Sequence, residues 1–339
     1  MGEDEPVVDT QQQAVRISVL DTSPIVAGST ARQALHNTVD LAVLADGLGY
    51  HRYWSAEHHG MAGVASSAPA VVAGRLADAT RRLRVGSGGV LLAHHPPIVV
   101  AEQFGTLAAF HPGRIDLGLG RALGGSRRAA DAVREEREPT ATSFADRIAE
   151  LLGYFDQDRP VRATPAAGNV PAFWLLGSST ASARLAGSLG LAYAFARHLN
   201  PDEAGQALRA YRTAFRPVRL STPTTLVSVA VIAAGTDERA EWLAGPTRRK
   251  TSLRLRGDRI LLPPPEEAAA RPEADRAAAA AHTRGLVVGS PQTVRERLQA
   301  VLDETGTGEL MITTPVHGHA DRRTSFELVA TVAKQLVGR

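Results

Sequence analysis

Apolar residues in this chain fall into short runs, separated by longer stretches in which they recur every three or four positions. The runs at 15–20 (VRISVL), 52–55 (RYWS), 83–88 (LRVGSG), 114–120 (RIDLGLG), 172–176 (AFWLL), 191–195 (LAYAF), 225–234 (TLVSVAVIAA) and 309–313 (ELMIT) read as buried strands. Between them lie helix-length segments with an apolar stripe. The first carries Leu35, Val39, Ala42 and Val43, the second Val71, Val72, Leu76 and Ala79, and the fourth Phe144, Ile148, Leu151, Leu152 and Phe155. Punctuation supports these bounds: Ser29 or Thr30 caps the first helix, Pro96 and Pro97 open the third, Gly113 follows it, and Ser290 caps a helix with proline at its first position.

Eight strands in strict alternation with helices predict an α/β fold, a (β/α)8 TIM barrel of parallel strands with insertions in its strand-to-helix loops. Residues 248–281, basic and then rich in alanine and proline, read as an excursion, partly helical and partly mobile. The barrel resumes at 286–289 (LVVG), so the insertion covers about 248–285. The polar stretch 1–14 reads as a flexible tail, 15–339 as one domain, and 325–337 as the closing helix.

Composition narrows the function classes. All but two of the 38 basic residues are arginine, and they are scattered with few aromatics between them, which speaks against nucleic acid as a partner. The absence of cysteine excludes disulfides, thiolate metal sites and a cysteine nucleophile. No apolar run approaches a membrane span, and the start lacks the features of a secretion signal, so a soluble cytoplasmic protein is expected.

In a parallel barrel the downstream strand ends open on one face, where active sites are built. This chain delivers Glu57, His58 and His59 after the second strand, Gly88 and Gly89 with His94 and His95 after the third, and Arg121 after the fourth. Ser178, Ser179 and Ser182 follow the fifth strand, and His198 the sixth. Imidazoles suit proton handling near neutrality. Paired glycines let a flat ring approach the backbone. Serines at a strand-to-helix turn suit an anion, and with no lysine in the motif a single phosphate fits better than three. The long 121–142 segment is a candidate lid. Plainer readings stand beside these: Glu57 and His59, on one side of an extended strand, sharing a metal ion; the serines as a helix cap; Arg121 as a surface residue; His94 and His95 as loop residues.

The ordered motifs AEHH (56–59), GSGG (86–89) with LLAHHPP after it, AEQFGTLAAFHPGRIDLGLGR (101–121), LLGSSTASARLAGSLGLAYAFA (175–196) and VVGSPQTVRERL (287–298) resemble the bacterial luciferase-like flavin-dependent monooxygenases. The resemblance implies a barrel that binds FMN, reduced by a separate NAD(P)H-dependent flavin reductase. O2 and reduced FMN then give a C4a-peroxyflavin that oxygenates a small organic substrate, possible ones including secondary metabolites such as polyketides. It implies His58 beside the reactive edge of the flavin, Glu57 positioning it, Gly88 and Gly89 at a non-prolyl cis peptide or bulge under the ring, and Arg121 with Ser178, Ser179 and Ser182 around the phosphate. No metal is implied. His59, His94, His95 and His198 are candidates for the substrate pocket or lid. The same superfamily includes dehydrogenases that use the deazaflavin F420, and a non-catalytic flavin-binding barrel is a further alternative. A homodimer is expected from the resemblance and from the apolar second and third helices.

Overall fold

The computed structural model describes residues 14–122, 124–133, 143–269 and 272–338. The strands β1 (Arg16–Asp21), β2 (Arg52–Ser55), β3 (Arg84–Leu91), β4 (Ile115–Gly120), β5 (Ala172–Gly177), β6 (Ala192–Phe195) and β7 (Thr225–Ala233) pair in sequence, all parallel. A later strand, Glu309–Thr313, pairs with both β7 and β1 and closes the ring. The expected eight-stranded parallel barrel is therefore the fold. The segment Leu286–Gly289 is a strand too, β8, which makes the closing strand β9. β7 serves both neighbours because it is long: Val227 to Ala230 face β9, whereas Ala230 to Ala233 face β8.

Helices α1 (Ala31–Leu48), α2 (Pro69–Ala79) and α3 (Pro97–Phe110) cover the first strands. They are followed by α4 (Arg127–Val133), α5 (Phe144–Asp156), α6 (Thr180–Ser188), α7 (Ala204–Ala214) and α8 (Asp237–Leu255). After α9 (Pro265–Ala268) and α10 (Pro272–Ala279) come α11 (Pro291–Thr305) and α12 (His319–Ala333). Thr30 caps α1 through its hydroxyl, which accepts from the Gln33 N–H at 3.2 Å. Ser290 occupies the cap position of α11 without a side-chain cap bond; its N–H donates instead to Asp237 at 2.6 Å.

Alternation along the strands builds two cores. Outward residues such as Tyr53, Leu117, Val229 and Ile312 pack under the helices. Inward residues Leu20, Trp54, Trp174, Ala194, Leu226 and Met311 fill the barrel. Below that apolar layer, where the strands begin, lies an ionic one that the sequence pattern did not announce. Arg52 joins Asp116 and Glu309, each at 2.6 Å, and Ser18 donates to Glu309 at 2.5 Å. This ionic layer plugs the interior from below.

Two predicted elements need correction. Residues 248–255 are no excursion but the end of α8, which continues through Pro246; a bidentate pair between Arg248 and Glu241 spans the proline and supports the helix across it. Among the described residues the remaining insertion carries the short helices α9 and α10, and Leu262 bridges back to Val26. The last helix begins at His319 rather than 325, because Arg322 in the polar stretch before 325 is buried against Asp21 at 2.7 Å. Most of the predicted tail lies outside the described residues; Ala14 bridges to Val337. Among the described residues no helix is long and apolar enough to cross a membrane.

Candidate active site

A cavity of about 530 Å3 opens at the downstream ends of the strands. Its floor is the apolar layer of Leu20, Trp54, Leu226 and Met311, and one wall is the backbone of Gly88 and Gly89. The Gly88–Gly89 peptide is cis, and the β3–β4 register shifts between Ser87 and Val90. Ser87 patches the irregular ladder, accepting from the Gly118 N–H at 3.0 Å and donating to the Gly118 carbonyl at 2.9 Å. The glycines answer to the protein first. A Cβ on Gly88 would lie 2.6 Å from Leu20, and one on Gly89 would lie 2.7 Å from the Gly118 carbonyl oxygen. The barrel wall itself therefore demands glycine at 89 and crowds any side chain at 88, a reason separate from room for a ring.

Beyond β2 the chain stays extended, so successive side chains point apart. His58 lines the cavity; Glu57 reaches its edge, and His59 turns with Glu57. One Glu57 oxygen contacts His59 Nε2 at 2.8 Å and His95 Nε2 at 2.7 Å, while the other accepts from the Leu91 N–H at 2.9 Å. Burial alone would raise the Glu57 carboxyl, but the bonds from His95, Leu91 and His59 together hold it below its ordinary value. This carboxylate ties the segments after β2 and β3 together. His95 and His59 thus brace Glu57 from behind, and His94 is buried with its ring edge-on to His59 at 5.8 Å; none of the three lines the cavity. Among the described residues the buried Nδ1 of His58 meets no partner, and burial, then the neighbouring His59, lowers its pKa.

Ser178, Ser179 and Ser182 line the opposite side. Ser179 and Ser182 form a reciprocal capping box at the start of α6, and Ser182 also meets the Tyr193 hydroxyl at 2.9 Å. Their hydroxyls are largely committed to the helix. What α6 offers the cavity is its positive end and its first-turn N–H groups, with Ser178 beside them. Arg121 is exposed and stands at the rim of the same cavity. Of the candidate lid, 123 and 134–142 lie outside the described residues; the described part holds α4 and a backbone bridge from Gly125 to His59.

Residues 15–309 match the family model of the luciferase-like monooxygenases. The chain belongs to that family. A luciferase-like monooxygenase of Escherichia coli (strain K12) is 43% identical over 333 residues, spanning 96% of this chain and 99% of the relative. The solved structure of apo-MsnO8 shares 39% identity and a TM-score of 0.90, covering 96% of this chain and all of that one. The oxygenating constituent of 3,6-diketocamphane monooxygenase from Pseudomonas putida, a type II Baeyer–Villiger monooxygenase solved with FMN, shares the fold at a TM-score of 0.75 and 21% identity, covering 96% of this chain and 100% of its own.

In this luciferase-like cavity the residue that sequence reasoning missed is Ser228, a hydroxyl set within the apolar run from Leu226 to Ala233 of β7, which lies 2.6 Å from His198 Nδ1. Burial, then the nearby His58, pushes the His198 pKa down to about 4. The unfolded chain therefore binds more protons than the folded one between roughly pH 6.5 and pH 4. Native stability should fall as pH falls through that window, by about 2 kcal/mol between pH 8 and pH 5 from His198 alone. Urea unfolding at the two pH values checks this, and His198→Asn should flatten the difference. Equal stability at both would refute it.

Proposed function

We propose that this protein is a flavin-dependent monooxygenase that uses reduced FMN and O2 to oxygenate a small organic substrate. The observation that carries the reading is the cavity itself: about 530 Å3, apolar below, glycine-walled on one side, with the start of α6 on the other and an unpartnered buried imidazole nitrogen on His58. Its size lies within the ~300–1,000 Å3 typical of pockets for small molecules and cofactors. The residues fit the group. Leu20, Trp54, Gly88 and Gly89 would flank the ring; the α6 N-terminus, Ser178 and Arg121 would hold a single phosphate.

Reduced FMN would supply the electrons that activate O2. The chain's own part is to exclude water with the apolar floor and to place the neutral His58 where it can hold or pass a proton. Glu57 acts at one remove, as a positioning residue for the segments that carry His58 and Leu91. A cavity of this volume has no room for a dinucleotide beside a flavin, which favours a separate reductase as the source of reduced FMN. A cytoplasmic setting, where such a reductase has NAD(P)H, fits this reading.

The test is anaerobic titration with reduced FMN and with reduced riboflavin, followed by turnover under 18O2 with candidate substrates. FMN should bind at least about tenfold more tightly than riboflavin, because the phosphate adds charge-assisted hydrogen bonds. The product should carry one labelled oxygen. Equal binding of the two flavins, or an unlabelled product such as a deazaflavin-dependent hydride transfer would give, contradicts the proposal.

The proposal extends to a homodimer through α2 and α3, on which Val71 and Phe110 are 74% and 76% exposed. Light scattering should give twice the 35.9 kDa chain mass, and Val71→Asp with Phe110→Asp should halve it. A monomeric wild type in dilute solution would refute the dimer.

A further inference from the structure

The wall formed by β6, β7 and the turn after β6 carries a polar pair that the flavin reading leaves without a task. His198 and Ser228 both line the cavity, among Leu199, Leu226 and Met311. One bond holds the ring and one its backbone: Ser228 Oγ lies 2.6 Å from Nδ1, and the His198 backbone N–H donates to the Ser228 carbonyl at 3.2 Å. The Ser228 hydroxyl has one hydrogen and two acceptors within reach, Nδ1 and the Phe195 carbonyl, the latter at 3.3 Å. Hydroxyl donors make bonds near 2.7–2.8 Å, ring N–H donors nearer 2.9 Å. The contact to Nδ1, shorter than a ring N–H donor usually makes, and the longer one to Phe195 favour a Ser228 hydrogen directed at Nδ1. A neutral imidazole that accepts at Nδ1 carries its own hydrogen at Nε2. Among the described residues no acceptor meets Nε2.

We infer that His198 presents its Nε2–H to the cavity as the donor for a carbonyl oxygen of a bound molecule, with Ser228 as the positioning residue that fixes this tautomer. The inference deepens the flavin reading and rests on it. The ring is uncharged at neutral pH, so it offers no charge to offset the desolvation of a carboxylate or phosphate in this apolar wall, and a neutral acceptor suits it better. Its apolar surroundings strengthen the bond and penalise a ligand that lacks the acceptor. Two sources offer this chemistry: a pyrimidine carbonyl of the flavin, or a carbonyl on the substrate.

The experiment is long-range 1H–15N NMR on the full chain labelled at histidine, with His198 assigned through His198→Asn. The ring should show the Nε2–H tautomer without ligand. A shift of Nε2 on adding FMN assigns the carbonyl to the flavin; a shift only when 2-nonanone is added to FMN-loaded protein, and not with n-nonane, assigns it to the substrate. Ser228→Ala should mix the tautomers and weaken the responsible ligand about tenfold, and Ser228→Thr should restore both. An Nδ1–H tautomer in the wild type, or no Nε2 response to either ligand, overturns the inference. FMN fluorescence quenching, read on the same samples, separates the two claims. If it is absent, the flavin reading fails, while the tautomer and the ketone response still decide the role of His198.

Discussion

Asp116→Ala is expected to lower the unfolding free energy by about 3–5 kcal/mol, the cost of breaking a buried ion pair from one side. Asp116 is fully buried and accepts four bonds: from Arg52 at 2.6 Å, from two Arg84 nitrogens at 2.9 and 2.7 Å, and from Trp54 Nε1 at 2.9 Å. Its removal leaves Arg52 with Glu309 alone and strands the Trp54 N–H inside the barrel. Because Trp54 also forms the cavity floor, the same substitution should weaken flavin binding, which links the ionic plug to the site above it. Replacing Arg52, Asp116 and Glu309 together by apolar residues should cost less than Asp116→Ala alone, since only the partly exposed Arg84 then loses its ionic partner. Urea unfolding of the two variants beside the wild type decides the matter. A loss below about 1 kcal/mol would mean that water reaches these charges as it does at a surface pair.

On the proposed function, His58→Ala should reduce product formation by roughly 10²-fold or more, the usual range for a lost proton-transfer group, while changing FMN affinity no more than about threefold. His58 lines the cavity, and among the described residues its Nδ1 meets no partner, so its removal disturbs chemistry before structure. Glu57→Gln makes the contrast. It disturbs contacts to His59, His95 and Leu91, and should lower the unfolding temperature and FMN affinity together. Measuring labelled product, hydrogen peroxide release and FMN binding for both variants separates the two roles. Unchanged product formation in His58→Ala would remove it from the chemistry.

The strand ends were legible because a parallel barrel sends every downstream end to one face, so Glu57, His58, Gly88 and Ser178 could be gathered from spacing alone. Alternation even indicates that His59 shares a side with Glu57. Nothing in the spacing brings His95 to the same carboxylate oxygen, which depends on how the segment after β3 folds back. The ionic plug escaped notice for a related reason: Arg52, Asp116 and Glu309 are single polar letters inside apolar runs, and their pairing spans up to 257 positions. Ser228 is hidden in the same way. Polar composition misled at the helix bounds, where 248–255 and 319–324 looked like loop, yet Glu241 and Asp21 hold Arg248 and Arg322 within helices. The glycine pair was read as room for a flat ring; within the fold its close neighbours are Leu20 and the Gly118 carbonyl.

A crystal structure of the protein with FMN bound tests the central claim most directly. The account predicts the flavin ring against Gly88, Gly89 and Trp54 with His58 facing it, and the phosphate at the start of α6 between Ser178 and Arg121. FMN bound elsewhere, or a cavity that remains free of flavin at saturating FMN, would contradict it.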